Sequence, residues 1–232
     1  MKDTPTVKAS RLLSVLLAIT TAVVLLTGSI AIPILYRPFY YLQIGPLGLE
    51  ERTGLSQEEI RTAFDEVMDY CTGQTDEFST GVLRWSERGR DHFTDVRSLF
   101  LLDLQVLIES ALLLVILLLM GRVTRRKPAK LLGRSPAFWA GAGLGAVFLV
   151  IGALAALDFN RAFTIFHTIF FPGKDNWIFD PATDQIITIL PQEFFRNCAI
   201  LILGVLVAGC AILILWDLLH KEKASKVRAG NN

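Results

Sequence analysis

Apolar residues in this chain gather into four long blocks, over about residues 12–36, 99–120, 137–157 and 198–216. Each approaches or exceeds the roughly 20 residues that a helix needs to cross the hydrocarbon core of a bilayer. Water is absent at that depth, so backbone groups must be satisfied within the segment, and a helix does this. The expected fold is an all-α membrane protein with four transmembrane helices, forming a single membrane domain over residues 1–232. The connections are unequal. Residues 121–136 are short and basic, whereas 37–98 and 158–197 are long enough to carry structure of their own.

Both long segments show helical patterns. In Leu55-Ser56-Gln57-Glu58-Glu59-Ile60, Ser56 is an N-cap, Glu59 its capping-box partner, and Leu55 with Ile60 a hydrophobic staple. From there Ile60, Phe64, Val67 or Met68, and Cys71 recur at helical spacing, with Glu58, Arg61, Asp65, Glu66 and Asp69 around the rest of the barrel. The pattern predicts an interfacial helix on the membrane surface or on the spans. Residues 162–171 are rich in phenylalanine but too short for a fifth crossing, which places them at the interface or in a re-entrant position. Pro172-Gly173 and Asp180-Pro181 are turn signals. Tyr36, Phe39, Tyr40, Tyr41, Trp177 and Phe179 suit the headgroup level.

Charge sets the expected orientation. Lys2, Lys8 and Arg11 precede the first block, Arg122, Arg125, Arg126, Lys127, Lys130 and Arg134 lie between the second and third, and Lys221, Lys223, Lys226 and Arg228 follow the fourth. These segments are expected in the cytoplasm, giving N-in and C-in topology. Residues 37–98 and 158–197 then form two extracytoplasmic loops, which between them hold a single lysine, Lys174. The first loop carries seven arginines against twelve acidic residues. The first block is too long for the apolar core of a secretory signal and is read as an uncleaved span. Val207-Ala208-Gly209-Cys210 has the form of a lipobox but lies inside the last span, which is the wrong place for one.

Composition removes other classes. With 52% hydrophobic residues, 19% charged residues and a net charge of +1, the chain is neither a nucleic-acid binder nor an acidic disordered protein. Three cysteines, Cys71, Cys198 and Cys210, show no metal-ligand spacing and imply no disulfide framework. There is no Gly-x-Ser-x-Gly elbow, His-Glu-x-x-His pair, phosphate-cradling loop or Cys-x-x-Cys.

Three histidines remain as candidate chemistry. If the second helix begins before the membrane, His92, Asp95, Leu99 and Asp103 fall on one face, spaced i, i+3, i+7 and i+11. His92 and Asp103 are then separated by about 16 Å along the axis. Asp103, Gln105 and Glu109 enter the span, where carboxylates are costly unless they face a polar interior; they mark either a functional site or pairing between helices. His167 lies about 75 residues from His92 in sequence but at matching depth on the same side, each beside acids and aromatics. His220 lies in the cytoplasmic tail. An interfacial imidazole can simply be a ring hydrogen-bonded to its neighbour. A pair can also move protons near neutral pH, one as base and one as acid. A membrane metalloenzyme with His92, His167 and an acid as ligands, and a non-enzymatic carrier or assembly factor, are the alternatives from other classes. No inverted repeat supports a transporter.

Four blocks of residues carry a family resemblance. They are 91–97 (DHFTDVR), 166–173 (FHTIFFPG), 177–181 (WIFDP) and Asp184 with Pro191-Gln192-Glu193-Phe194-Phe195. Together with the four-span layout they resemble the bacterial lipoprotein intramolecular transacylase family, Lit. The resemblance implies an acyltransferase that moves the sn-2 acyl chain of diacylglyceryl-cysteine to the α-amino group of the same N-terminal cysteine, giving the lyso form. It implies catalytic His92 and His167 in the outer leaflet, no cofactor and no metal, and as partners a diacylglyceryl-modified lipoprotein N-terminus and membrane lipid. Amine and ester share one molecule, so proximity is largely supplied and no protein nucleophile is required. Asp91, Asp95 or Asp158 would orient an imidazole, and Asn160, Arg161 or the Trp177 indole N–H would face the oxyanion.

Overall fold

The computed structural model describes residues 8–229, with side chains through residue 220. Lys2 and the side chains of Lys221, Lys223, Lys226 and Arg228 lie outside the described residues. The element order is β1 (Lys8–Ser10), α1 (Arg11–Leu35), α2 (Pro38–Tyr41), α3 (Leu49–Thr53), α4 (Gln57–Cys71), α5 (Glu87–Val123), β2 (Arg126–Pro128), α6 (Pro136–Leu157), α7 (Phe159–Phe170), α8 (Ile186–Ile189) and α9 (Gln192–Ala229). The four apolar blocks fall in α1, α5, α6 and α9, each long and apolar enough to cross a membrane. Ile108, Leu112, Val115 and Leu119 of α5 are at least half exposed, and α6 and α9 show similar apolar surfaces. Such faces are intolerable in water and suit lipid. The α5 helix starts well before its apolar stretch, so its charged first three turns stand ahead of the crossing.

By internal contacts the chain forms two compact units, one of residues 1–29, 106–151 and 203–232, the other of residues 30–105 and 152–202. In the first, β1 and β2 form a parallel pair, Lys8 opposite Arg126 and Ser10 opposite Pro128. Neither strand is legible in the hydropathy pattern. Buried Ser14 secures the pair by donating to the Ala129 carbonyl at 2.7 Å. Pro136 opens α6 behind Ser135, whose hydroxyl accepts from Phe138 N–H at 3.3 Å. Asp217 of α9 accepts the Ser135 N–H at 2.9 Å and pairs with Arg134 at 3.2 Å, placing a carboxylate at the start of α6. Gly141 of α6 lies against α9, where a Cβ would come within 2.7 Å of the Cys210 carbonyl oxygen.

The second unit has its own core. The Ser56–Glu59 capping box is present at the start of α4, as the sequence predicts. Ile60, Phe64, Val67, Met68 and Cys71 are all buried. Their cover is protein: Tyr40 stacks on Phe64 at 3.8 Å, and α3 and α8 pack beside α4. Of the two placements expected, a membrane surface or the spans, the second matches this cover, which comes from Ile34, Phe93 and Phe194 of the long helices and from short helices too brief to register in the pattern. Tyr40, read as suited to the headgroup level, belongs to the same protein core. It is buried, with its hydroxyl donating to the Ile189 carbonyl at 2.8 Å. On the polar side of α4, Arg37 pairs with Asp65 and Asp69, and the Tyr41 hydroxyl donates to Asp65 at 2.6 Å.

Candidate active site

The first turn of α5 is fixed by a buried carboxylate. Ser86 is the helix cap, its hydroxyl accepting from the Gly89 N–H at 3.0 Å. Ser86 is itself held by Asp184, which accepts its N–H at 2.8 Å and its hydroxyl at 2.8 and 2.9 Å, and also the Thr183 hydroxyl at 2.8 Å. Asp184 is buried, and the satisfied lone pairs are what make that tolerable. Only glycine fits at position 89, since a Cβ there would lie 2.1 Å from a carboxylate oxygen. Two further bonds complete the clasp, Arg84 N–H to the Gln185 side chain and Gln185 N–H to the Arg84 carbonyl, both 2.9 Å. Nearly two turns on from Ser86, α5 presents His92 and Phe93 to the interior.

The second imidazole comes from α7. Asp158 caps this helix, accepting the Arg161 N–H at 3.0 Å from an extended backbone. Phe163, His167 and Phe171 follow at i, i+4 and i+8 and turn inward, while Ile165, Phe166, Ile169 and Phe170 are roughly half exposed. The helix stops at the predicted turn, where Gly173 takes a φ of 74° and Lys174 N–H bonds the Phe171 carbonyl at 3.1 Å.

These two elements bring His92 and His167 together. Their ring centroids are 5.9 Å apart with planes inclined by 30°, and both residues are 6% exposed. Phe171 lies against both rings, at 5.0 Å from His92 and 5.6 Å from His167. Phe179 meets His92 edge-on at 5.4 Å, and Trp177 stacks on His167 at 4.5 Å. Nδ1 of His167 is 2.8 Å from the Phe163 carbonyl, which as an acceptor requires the proton on Nδ1 and leaves Nε2 with its lone pair. Nδ1 of His92 is buried without a hydrogen-bond partner. Burial holds the His167 pKa below 6.5, with the Phe163 hydrogen bond opposing in part. A proton on either ring also disfavours one on the other. The site therefore holds adjacent imidazoles, equipped to take one proton and give another.

The remaining sequence candidates separate. Asp95 stands one turn from His92 and is bound by Lys174 at 2.5 Å and by the Asn176 amide at 3.1 Å. Asp91 is exposed and 3.7 Å from Arg90. Asp158 is engaged as a cap, Asn160 and Arg161 are exposed, and the Trp177 N–H donates to the Lys174 carbonyl at 3.3 Å. Asp103 has one buried oxygen with no hydrogen bond. Among the described residues, no three His, Cys, Asp or Glu side chains gather where a metal ion would be held. Sequence reasoning assigned no role to Gly89 or Asn176, and it named Asp184, Phe93 and Phe171 only within the blocks that carry the resemblance. For the inward rings of α7 a signal was present, the four-residue spacing of Phe163, His167 and Phe171.

Fold and site together define a polytopic membrane protein built around a buried imidazole pair. Solved structures of the membrane-integral lipoprotein intramolecular transacylase Lit from Bacillus cereus share this fold. One matches with a TM-score of 0.81 and 24% identity over 93% of this chain and 97% of that one. A variant of the same protein with a histidine replaced by arginine matches with a TM-score of 0.75 and 22% identity over 93% and 94% of the two chains. No curated protein matches the chain in sequence. The family model for lipoprotein intramolecular transacylase Lit matches residues 15–195. The chain belongs to that family and is an acyltransferase, which sets aside the carrier or assembly-factor reading.

Proposed function

We propose that this enzyme moves the sn-2 acyl chain of a lipoprotein's diacylglyceryl-cysteine to the α-amino group of the same cysteine, using His92 and His167 as proton carriers. The observation that carries this reading is the 5.9 Å approach of two buried imidazoles within one aromatic cluster. The α-ammonium has a pKa of about 7.7–8.0, so deprotonation near neutrality needs an acceptor of modest basicity. His92 takes that first proton. The free amine attacks the ester carbonyl to form the tetrahedral intermediate, from whose nitrogen Nε2 of His167 removes a second proton as His92 gives up its own, so the two rings are not charged together. As the bond from carbonyl carbon to the sn-2 oxygen breaks, His92 returns its proton to that oxygen. The products are an amide, a glycerol hydroxyl and one proton released through His167, so atoms and charge balance. Burial, and next His167, hold the His92 pKa down to about 4, against which Asp95 acts in part, so the proton on His92 is short-lived and readily given up. The excess of Lys and Arg in 121–136 and at the two termini puts the imidazoles on the extracytoplasmic side, where the diacylglyceryl group of an exported lipoprotein resides. The exposed Phe166 and Phe170 face the acyl chains.

The test is mass spectrometry of the N-terminal peptide of a reporter lipoprotein, in cells lacking the activity, expressing this protein or its His92→Ala, His167→Ala or His220→Ala variant. Conversion to the N-acyl, S-monoacylglyceryl form is expected with wild type and His220→Ala, and a loss of at least about 10²-fold with the other two. Unchanged peptide with well-expressed wild type would end the proposal.

A further inference from the structure

Two buried polar atoms, Nδ1 of His92 and the side-chain oxygen of Asn176, have no hydrogen-bond partner, and Nδ1 is an acceptor in the tautomer that carries its proton on Nε2. Asn176 is only partly buried, yet this oxygen is sequestered. Its nitrogen is committed, donating to Asp95 at 3.1 Å, and that bond fixes which end of the amide is the acceptor. The other Asp95 oxygen is held by Lys174 at 2.5 Å, so the carboxylate clamps Asn176 in place. Asp95 is one turn from His92 on the same face of α5 and acts electrostatically on the imidazole, so Asn176 is bound to a residue that neighbours His92. Buried acceptors are rarely left empty, because the lost hydration is not recovered. Two together, in a site read as handling an amine, match a ligand that brings N–H donors.

We infer that Asn176 is a substrate-binding residue whose side-chain oxygen, with Nδ1 of His92, receives the N–H groups of the attacking α-amine. This rests on the transacylase reading above. The ammonium brings three protons: one goes to His92, one to His167, and the third remains on nitrogen in the amide product. Asn176 holds that third N–H throughout, and so orients the nitrogen lone pair toward the ester while the other two protons leave. An amide suits this role because it accepts without being protonated, so it does not compete with the imidazoles.

The test uses the full-length protein in nanodiscs and lipopeptides carrying a dialkylglyceryl cysteine, whose ether linkages cannot transfer. One ligand has a free α-amine and in the other, a deamino analogue, a hydrogen replaces the amine. Wild type is expected to bind the free amine more tightly, and Asn176→Leu to reduce that preference about fivefold to tenfold, the worth of one hydrogen bond. Binding of the deamino ligand should be unchanged, which also shows the variant to be folded; Asn176→Ala replaces it if that check fails. An undiminished preference in a folded variant overturns the role of Asn176. Turnover of the corresponding diester by wild type is measured in parallel, so a failure of the transacylase reading would be seen separately.

Discussion

Replacing Gly89 with alanine sets two effects of opposite sign against each other. Alanine is preferred over glycine in a helix by up to about 1 kcal/mol, and less in a first turn. Against this, the new methyl carbon would lie 2.1 Å from Oδ1 and 2.9 Å from Cγ of Asp184, with Phe179 at 3.3 Å leaving no side to yield. The carboxylate must withdraw by an ångström or more, which breaks its bonds to Ser86. Hydrogen bonds to a charged group contribute about 1.5–3 kcal/mol each, so losing one already outweighs the helix gain. The expected result is a net destabilisation of about 1–2 kcal/mol, with slower transacylation because His92 lies on the next turn. The assay is a double-mutant cycle on thermal unfolding in detergent with Gly89→Ala, Asp184→Ala and both together. In the Asp184→Ala background the added methyl should be neutral or slightly stabilising, giving a coupling of about 1.5–3 kcal/mol. A Gly89→Ala protein as stable as wild type, or a double variant showing the sum of the two losses, would refute the reasoning.

Two further outcomes follow from the same geometry. Tyr40→Phe leaves the Ile189 carbonyl without its donor in a buried core and should cost about 1–2 kcal/mol, visible as a lower unfolding midpoint, with the Phe64 stacking retained. His167 should titrate below 6.5 in histidine-selective NMR of the folded protein, assigned by its loss in His167→Ala; a midpoint above 6.5 contradicts burial as the dominant influence. Because the folded state resists this proton, the group's stabilising contribution is complete above 6.5 and is lost as pH falls from there.

The four crossings were legible because a bilayer demands what a sequence displays directly, a long run of apolar residues. The Ser56–Glu59 cap was equally plain, since its partners are three residues apart and need no tertiary information. The interior of the second unit was not. Tyr40 and Asp184 read as interfacial or loop residues, and only the positions of Ile189, Phe64, Ser86 and Gly89 turn them into core groups. For the imidazoles, shared depth could be read from topology. Their contact could not, because it depends on which face α7 turns inward.

That face also explains the density of phenylalanine around His167. In sequence the rings form one block, suggestive of lipid alone. In the fold α7 divides them by its period: Phe163 and Phe171 pack on the imidazoles from inside, while Phe166 and Phe170 remain on the apolar outer surface. The inner rings exclude water and so favour the neutral imidazole that can accept a proton. The outer rings give the same helix an affinity for hydrocarbon. Under the proposed function, one short amphipathic element thereby couples the two properties that an acyl transfer at a membrane requires, a base kept uncharged near neutral pH and a position beside the acyl chains. A polar substitution at Phe170 should leave the inner packing largely intact, whereas one at Phe171 would admit water to both rings at once.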